Sequence, residues 1–411
     1  MGLIRLRPAP SPRALARPRL RAFPEAPFHA RVAVVDGVVE LPGRDWPTLG
    51  RAAWALLPAE GGRVLLDARL LRAAEAAELS LCLALAAPPG AVVELWHPAV
   101  AALRPLLQDA LAVRRGVALA RSLDGMDAAA PRAVARRLRG LQAQGIAVQR
   151  LKRRRLQAAG FGGLLAASGA AAPRLVVMRW AGRIAAPPLV FAGVGLAGAG
   201  AAGMAGAAAC AGALLALALR DSAAPAAAVL ALCAPGDSRP GAPVALLGGL
   251  SLPPEAVAFP AQLAMAEAMA YADRAFRPGA LVGLARLTEG AGAALGEGAA
   301  LFGADPPLEA ALAAAGVATG EALWPLPPIG SSLPAGPGPG EAGRAAGFLG
   351  QVMGEAPWAL LDLAFGSGAL DSGALDSAAH ARHMSGHAAG GFGVRLLDRL
   401  ARQRFEDPHR V

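Results

Sequence analysis

Residues 184–219 read IAAPPLVFAGVGLAGAGAAGMAGAAACAGALLALAL, a run without one charged side chain. It is longer than the ~20 apolar residues that cross a bilayer, so its reading decides between a membrane protein and a water-facing fold. Pro187 and Pro188 break its start, and Gly193, Gly195, Gly198, Gly200, Gly203 and Gly206 follow. Each glycine costs about 1 kcal/mol in a helix, so at that density the segment reads as turn and loop. Only Ala207–Leu219 has helical character, and it is too short to span. The stretch therefore predicts a buried strand at Leu189–Ala192, a glycine-rich loop and a core helix, and no membrane partner.

Working outward, the same strand–helix alternation recurs. On the N-terminal side, Arg31–Val35 and Val38–Leu41 read as strands about an Asp36-Gly37 turn. Leu65–Leu71 follows as a strand, Ala73–Leu85 as a helix, Ala91–Leu95 as a strand and Val100–Leu111 as a helix. On the C-terminal side, strands are expected at Leu175–Met178, Ala228–Cys233, Ala280–Leu284 and Trp358–Asp362. Helices are expected at Leu263–Ala275, Leu308–Ala315 and Gly393–Arg402, with 329–342 an irregular loop and 367–376 a tandem Ser-Gly-Ala-Leu-Asp repeat. Alternation of this kind implies an α/β fold with a mainly parallel, helix-covered sheet. At 411 residues the chain is too long for one minimal core. The expected division is a basic Pro/Arg-rich flexible tail at 1–30, an N-terminal α/β domain at 31–125 and a C-terminal domain at 126–411.

Composition narrows the function classes. Hydrophobic residues make up 55% and charged residues 17%, which excludes a disordered chain. Three cysteines, Cys82, Cys210 and Cys233, exclude a disulfide framework; in apolar runs they read as buried small hydrophobes. The net charge of +10 is uneven. Residues 1–31 hold seven arginines and one acid, and residues 132–155 hold nine basic residues and no acid, so the rest carries 10 − 15 = −5. The first segment is too rich in proline for a helix and lacks the apolar core of a secretory signal. In the second, Val134, Leu138 and Leu141 recur at helical spacing and leave Arg136, Arg137 and Arg139 to solvent. Arg150 to Arg155 then reads as loop. No aromatic residue interleaves to stack on bases, so the segment reads as a solvated face and nucleic acid is not the expected partner.

The later segments carry a resemblance. Gln144-Gly145 leads into Leu156-Gln-Ala-Ala-Gly-Phe-Gly-Gly-Leu-Leu-Ala, and Ala293–Gly296, Leu301-Phe302, Leu308–Leu312 and Leu323-Trp-Pro-Leu326 follow. Pro357-Trp358-Ala-Leu-Leu-Asp362-Leu-Ala and Gly393-Val-Arg-Leu-Leu397 close the series. In order and spacing these resemble the leucyl aminopeptidase (cytosol aminopeptidase) family across about residues 130–402. The resemblance implies an N-terminal α/β domain joined to a C-terminal domain with a central mixed sheet flanked by helices. It also implies metal-dependent removal of N-terminal amino acids from peptides, two divalent cations (zinc or manganese) as cofactor, a cytoplasmic location and a hexameric homo-oligomer.

Set against that family, the residues that carry the chemistry are replaced. The family's Gly-Lys-Gly-Ile-Thr-Phe-Asp corresponds to Gly193-Val-Gly-Leu-Ala-Gly-Ala199, which puts Val194 at the lysine and Ala199 at the aspartate. The next aspartate falls at Gly203. Asn-Thr-Asp-Ala-Glu-Gly-Arg corresponds to Ala256–Gln262, with Ala258 and Pro260 at the carboxylates and Gln262 at the arginine. Arg286 interrupts the family's Asp-Leu-Ala-Thr-Leu-Thr-Gly. Lys152 is the only lysine in the chain, and asparagine is absent altogether. Hard divalent cations need carboxylate oxygens, so the expectation is no catalytic residues, no metal ligands and no bound cofactor.

The resulting reading is a pseudo-peptidase with a structural or binding role, as a homo-oligomer or beside an active paralogue, with a peptide an allowed ligand. One alternative is an active metallo-aminopeptidase that uses His380, His383 and His387, whose spacing would share one helix face. A second is an inert fold that carries a basic nucleic-acid or anionic-surface module. Gly193-x-Gly195-x-x-Gly198 lacks the acid that a dinucleotide site would place about twenty residues on. Gly366-Ser367-Gly368 sits in the repeat rather than on a nucleophile elbow. His29 and His97 stand alone.

Overall fold

A computed structural model describes residues 63–87, 91–126, 131–168, 172–198, 203–236, 241–288, 295, 298–363 and 391–407, together with the backbone of strands at 3–7, 19–23, 33–35 and 38–42. The described residues form two compact units that divide at Arg114/Arg115. The division falls inside the helix Val100–Asp124.

The first unit contains β1 (Leu3–Arg7), β2 (Arg19–Phe23), β3 (Ala33–Val35), β4 (Val38–Pro42), β5 (Arg63–Asp67), α1 (Ala73–Ala86), β6 (Val92–Trp96) and the start of α2 (Val100–Asp124). Its six strands run β1-β6-β5-β2-β4-β3. All neighbours are parallel except the β3–β4 pair. Val64, Leu66, Leu79, Leu83, Val93, Leu95, Leu103 and Leu107 fill the core beneath α1 and α2. Two of these strands fall within residues 1–30, the segment expected from sequence to be a tail. Leu3–Arg7 pairs with Val92–Trp96, and Arg19–Phe23 pairs with β4 and β5. Neither Leu3–Arg7 nor Arg19–Phe23 contains a proline, so each strand keeps all its ladder N–H groups.

The second unit continues with α3 (Pro131–Arg139), β7 (Ala147–Lys152), α4 (Arg153–Ala158), α5 (Gly162–Ala167), β8 (Arg174–Trp180), β9 (Leu189–Leu196), α6 (Ala205–Leu219) and β10 (Ala226–Cys233). After the short β11 (Val244–Ala245) and β12 (Ser251–Leu252) come α7 (Pro260–Phe276), β13 (Ala280–Ala285), β14 (Ala299–Gly303), α8 (Pro306–Thr319), β15 (Leu323–Pro325), α9 (Glu341–Gly350), β16 (Trp358–Leu363) and α10 (Val394–Phe405). Eight strands run β15-β14-β16-β13-β9-β10-β8-β7. The centre, β16-β13-β9-β10, is parallel, and β8 and β7 add antiparallel at one side. The result is the expected α/β architecture with a large mixed sheet flanked by helices.

Every residue of β9 and β10 is buried, as strands covered on both faces must be. α7 packs on the face that carries Val190, Ala192 and Val194, while α6 lies against the opposite face. That arrangement overturns the loop expected at Gly193–Leu196, which is the second half of β9. The glycines there serve close approach rather than a turn. A Cβ on Gly193 would lie 2.8 Å from the Gly206 carbonyl oxygen, and one on Gly206 would lie 2.0 Å from that of Leu284. Backbone-to-backbone contact of this kind seats α6 directly on β9 and β13.

Candidate functional site

In an open α/β sheet the ligand site lies beyond the carboxyl ends of the central parallel strands. Here those ends are Leu196, Cys233, Ala285 and Leu363. β9 leaves the sheet through two backbone bonds: the Ala197 N–H donates to the Cys233 carbonyl at 2.8 Å and the Leu196 N–H to the Gly203 carbonyl at 2.8 Å. From β16, the buried Asp362 accepts from the Leu287 N–H at 2.8 Å and the Thr288 hydroxyl at 2.6 Å. Its carboxylate thus pins the segment that follows β13. Burial pushes its pKa up to about 6, against the pull of those hydrogen bonds.

On the α7 side, the buried Gln262 is fully engaged. Its Nε2 donates to the Ala335 carbonyl at 2.9 Å, and its Oε1 accepts from the Ala335 N–H at 2.8 Å. One turn and a half further on, Glu267 accepts from the Gly163 N–H at 2.6 Å and the Leu247 N–H at 3.1 Å. Burial raises that carboxyl to about 7. Sequence reasoning did not single out Glu267; an acid inside the apolar run Leu263-Ala-Met-Ala-Glu-Ala-Met was the available signal. Buried acids need partners, and both of these have backbone donors.

The residues at the family's metal and catalytic positions fall as follows. Val194 is buried at 2% exposure in the apolar cluster under α7. Gly203 lies in the turn before α6, with its carbonyl already bonded. Ala258 is exposed at the end of a 3-10 turn, Pro254–Ala258, and Pro260 opens α7. Ala199 and the trio His380, His383 and His387 lie outside the described residues, as do Gly366-Ser367-Gly368 and the 367–376 repeat. Valine, alanine and proline side chains offer no donor atom, and both polar ends of the Gln262 amide are spent on Ala335. This set does not fit a pair of divalent cations. Among the described residues there is no group of three or more His, Cys, Asp or Glu side chains placed to hold a metal.

Other candidates resolve into structure. Cys82, Cys210 and Cys233 are free and buried, and burial pushes the Cys210 and Cys233 thiols up, away from the thiolate a nucleophile needs. His97 is buried, with Nε2 2.9 Å from the Leu71 carbonyl and Nδ1 accepting from the Ala99 N–H at 3.1 Å, so the ring braces the loop after β6. Among the described residues, no helix is long and apolar enough to cross a membrane.

Comparison with known proteins gives a consistent picture. Residues 200–397 match the catalytic domain of the cytosol aminopeptidase family. A probable cytosol aminopeptidase of Methylorubrum populi is 31% identical over 335 residues, covering 73% of this chain and 66% of the relative. The chain thus spans just under two thirds of that relative's length. Its counterpart in Methylobacterium radiotolerans is 30% identical over 423 residues, covering 88% of this chain and 81% of the relative. The counterpart in Brucella melitensis biotype 1 is 33% identical, covering 74% and 68%. Among solved structures, a lysine-to-glutamate mutant of tomato leucine aminopeptidase superposes with a TM-score of 0.75 at 21% identity, covering 90% of this chain and 82% of that one. A bottromycin maturation enzyme gives 0.73 at 24%, covering 95% and 99%.

Proposed function

Because this chain belongs to the cytosol aminopeptidase family, we propose that it keeps the family's fold without its hydrolysis, and acts through binding or assembly. One observation carries the reading. The resemblance puts a lysine of the family's chemistry at Val194, and this chain has one lysine in all. Lys152 sits at the end of the edge strand β7, three strands from β9, or ~14 Å at ordinary strand spacing. It is therefore distant from Val194, the position the resemblance gives to a lysine.

The environment of those positions supports the reading. Val194 packs as core, and Gln262 is tied to backbone at both ends of its amide, so neither is poised toward a substrate. With the donor set gone, no hydrolytic step is derived for this chain. The same reading places the protein in the cytoplasm, as a homo-oligomer or beside an active paralogue, with a peptide as its allowed ligand. Metal content after loading with manganese and exhaustive dialysis tests it. Substoichiometric metal is expected; two equivalents per chain, lost when His380, His383 or His387 becomes alanine, would establish the histidine-based enzyme instead.

A further inference from the structure

The basic segment 132–155 acquires a geometry that its sequence does not display. Lys152 lies directly opposite Arg174 in the antiparallel β7–β8 ladder, and Arg150 lies opposite Val176. Leu151 and Leu175 point into the core, so Arg150, Lys152 and Arg174 share the other face. α3 packs over this same strand pair, with Arg132 in its first turn. Arg132 and Arg150 lie close enough to Arg174 to act on its charge, and Lys152 sits across the ladder from it, so three elements bring four cationic residues to one sheet edge. Among the described residues none of them has a carboxylate partner.

Like charges directly opposite in a sheet are destabilising. An exposed lysine on an edge strand is explained by the need to repel stray strands. Arg174 is not, because it is half-buried on the inner strand β8. Burial first, and then the charges of Arg132 and Arg150, hold its guanidinium below the usual arginine value. Its fork is also pre-set: one terminal nitrogen donates to the Pro173 carbonyl at 2.7 Å and to the Ala172 carbonyl at 3.1 Å. A cluster that costs stability when empty and is held in orientation is suited to an anion. Guanidinium forks match phosphate oxygens in pairs. Four positive charges at one spot match the charge density of linked phosphates better than that of a phosphodiester chain, which spreads its charges out.

We propose that the β7–β8 edge beneath α3 binds a small molecule carrying a di- or triphosphate group, through Arg132, Arg150, Lys152 and Arg174. This site is separate from the positions given to the family's metals and stands whether or not hydrolysis is retained. Calorimetric titration of the full chain with tripolyphosphate at low salt tests it, with a mixed-sequence DNA duplex titrated in parallel. Saturable binding of tripolyphosphate is expected. Arg150→Gln and Arg174→Gln should each weaken it about tenfold or more. Arg137→Gln should leave it unchanged, since Arg137 turns to the other side of α3 and bonds Ser122. Lys152→Gln should weaken binding yet raise the ligand-free Tm, a pair of opposite signs that misfolding would not produce. Absence of tripolyphosphate binding, binding indifferent to Arg150 and Arg174, or tighter binding of the duplex through the same arginines would each overturn the proposal.

Discussion

Gln262 acts in this structure through its amide, which bonds the backbone of a residue distant in sequence. It stands where the family resemblance puts an arginine, yet its amide closes a two-bond ring with the backbone of Ala335, itself buried. Gln262→Ala would leave one N–H and one carbonyl unpaired in the interior, at a cost of about 2–3 kcal/mol measurable by urea unfolding. Glu267 behaves differently because it titrates. Burial raises its pKa from the ordinary 4.5 to about 7, so the folded state favours the protonated acid. Its contribution is fully present below about pH 4.5 and is lost as pH rises through about 7, a fall on the order of 3 kcal/mol. Unfolding free energies at about pH 5 and about pH 8 should differ less in Glu267→Gln than in the parent chain. An equal difference in the two proteins would remove Glu267 as the source. Neither role was legible in sequence, because the partners lie 73 and 104 residues away.

At the scale of elements, α6 and α10 are joined by ion pairs. Arg220, just past α6, donates to Asp398 at 2.6 Å and to Glu406 at 2.6 Å, and Arg402 donates to the other Asp398 oxygen at 2.9 Å. Ser222 completes the set by donating to Glu406. Burial would raise the Asp398 carboxyl, but Arg402 and Arg220 outweigh it and hold it below the usual carboxylate range. Its stabilisation is therefore present above the unfolded-state pKa and lost on acidification, opposite in sign to Glu267. Asp398→Ala leaves the buried Arg220 with Glu406 as its one carboxylate partner and should cost about 3 kcal/mol, read as a lowered Tm that added salt does not mimic. Most elements were legible from periodicity: α1, α7, β10, β13, β16 and α10 lie where the alternation puts them. The misses share a cause. The rule that glycine marks a turn mistook the second half of β9 for loop, since Gly193 is required by the close approach of α6. Likewise Arg150–Lys152 reads as loop by charge but is strand by pairing with β8. β14, β15 and α9 are set mainly by their neighbours.

For the whole molecule, the composition that first suggests a membrane protein is that of an alanine- and glycine-rich core. β9 and α6 supply the apolar run, and their burial between layers explains it without a bilayer. The charge likewise resolves into places rather than a global tendency: a basic N-terminal segment that contributes two strands, and a basic sheet edge. The fold was legible because order and spacing of modest motifs survive when individual residues change. The proposed loss of donors rests on residue types that sequence supplies, whereas a contact such as Gln262–Ala335 becomes visible only in the fold. The fold is proposed to persist without the hydrolysis. Turnover of leucine-p-nitroanilide by the purified chain in saturating manganese tests it most directly, with an active family member assayed alongside. No turnover above the uncatalysed rate is expected; sustained hydrolysis that a chelator abolishes would show an active metallo-aminopeptidase instead.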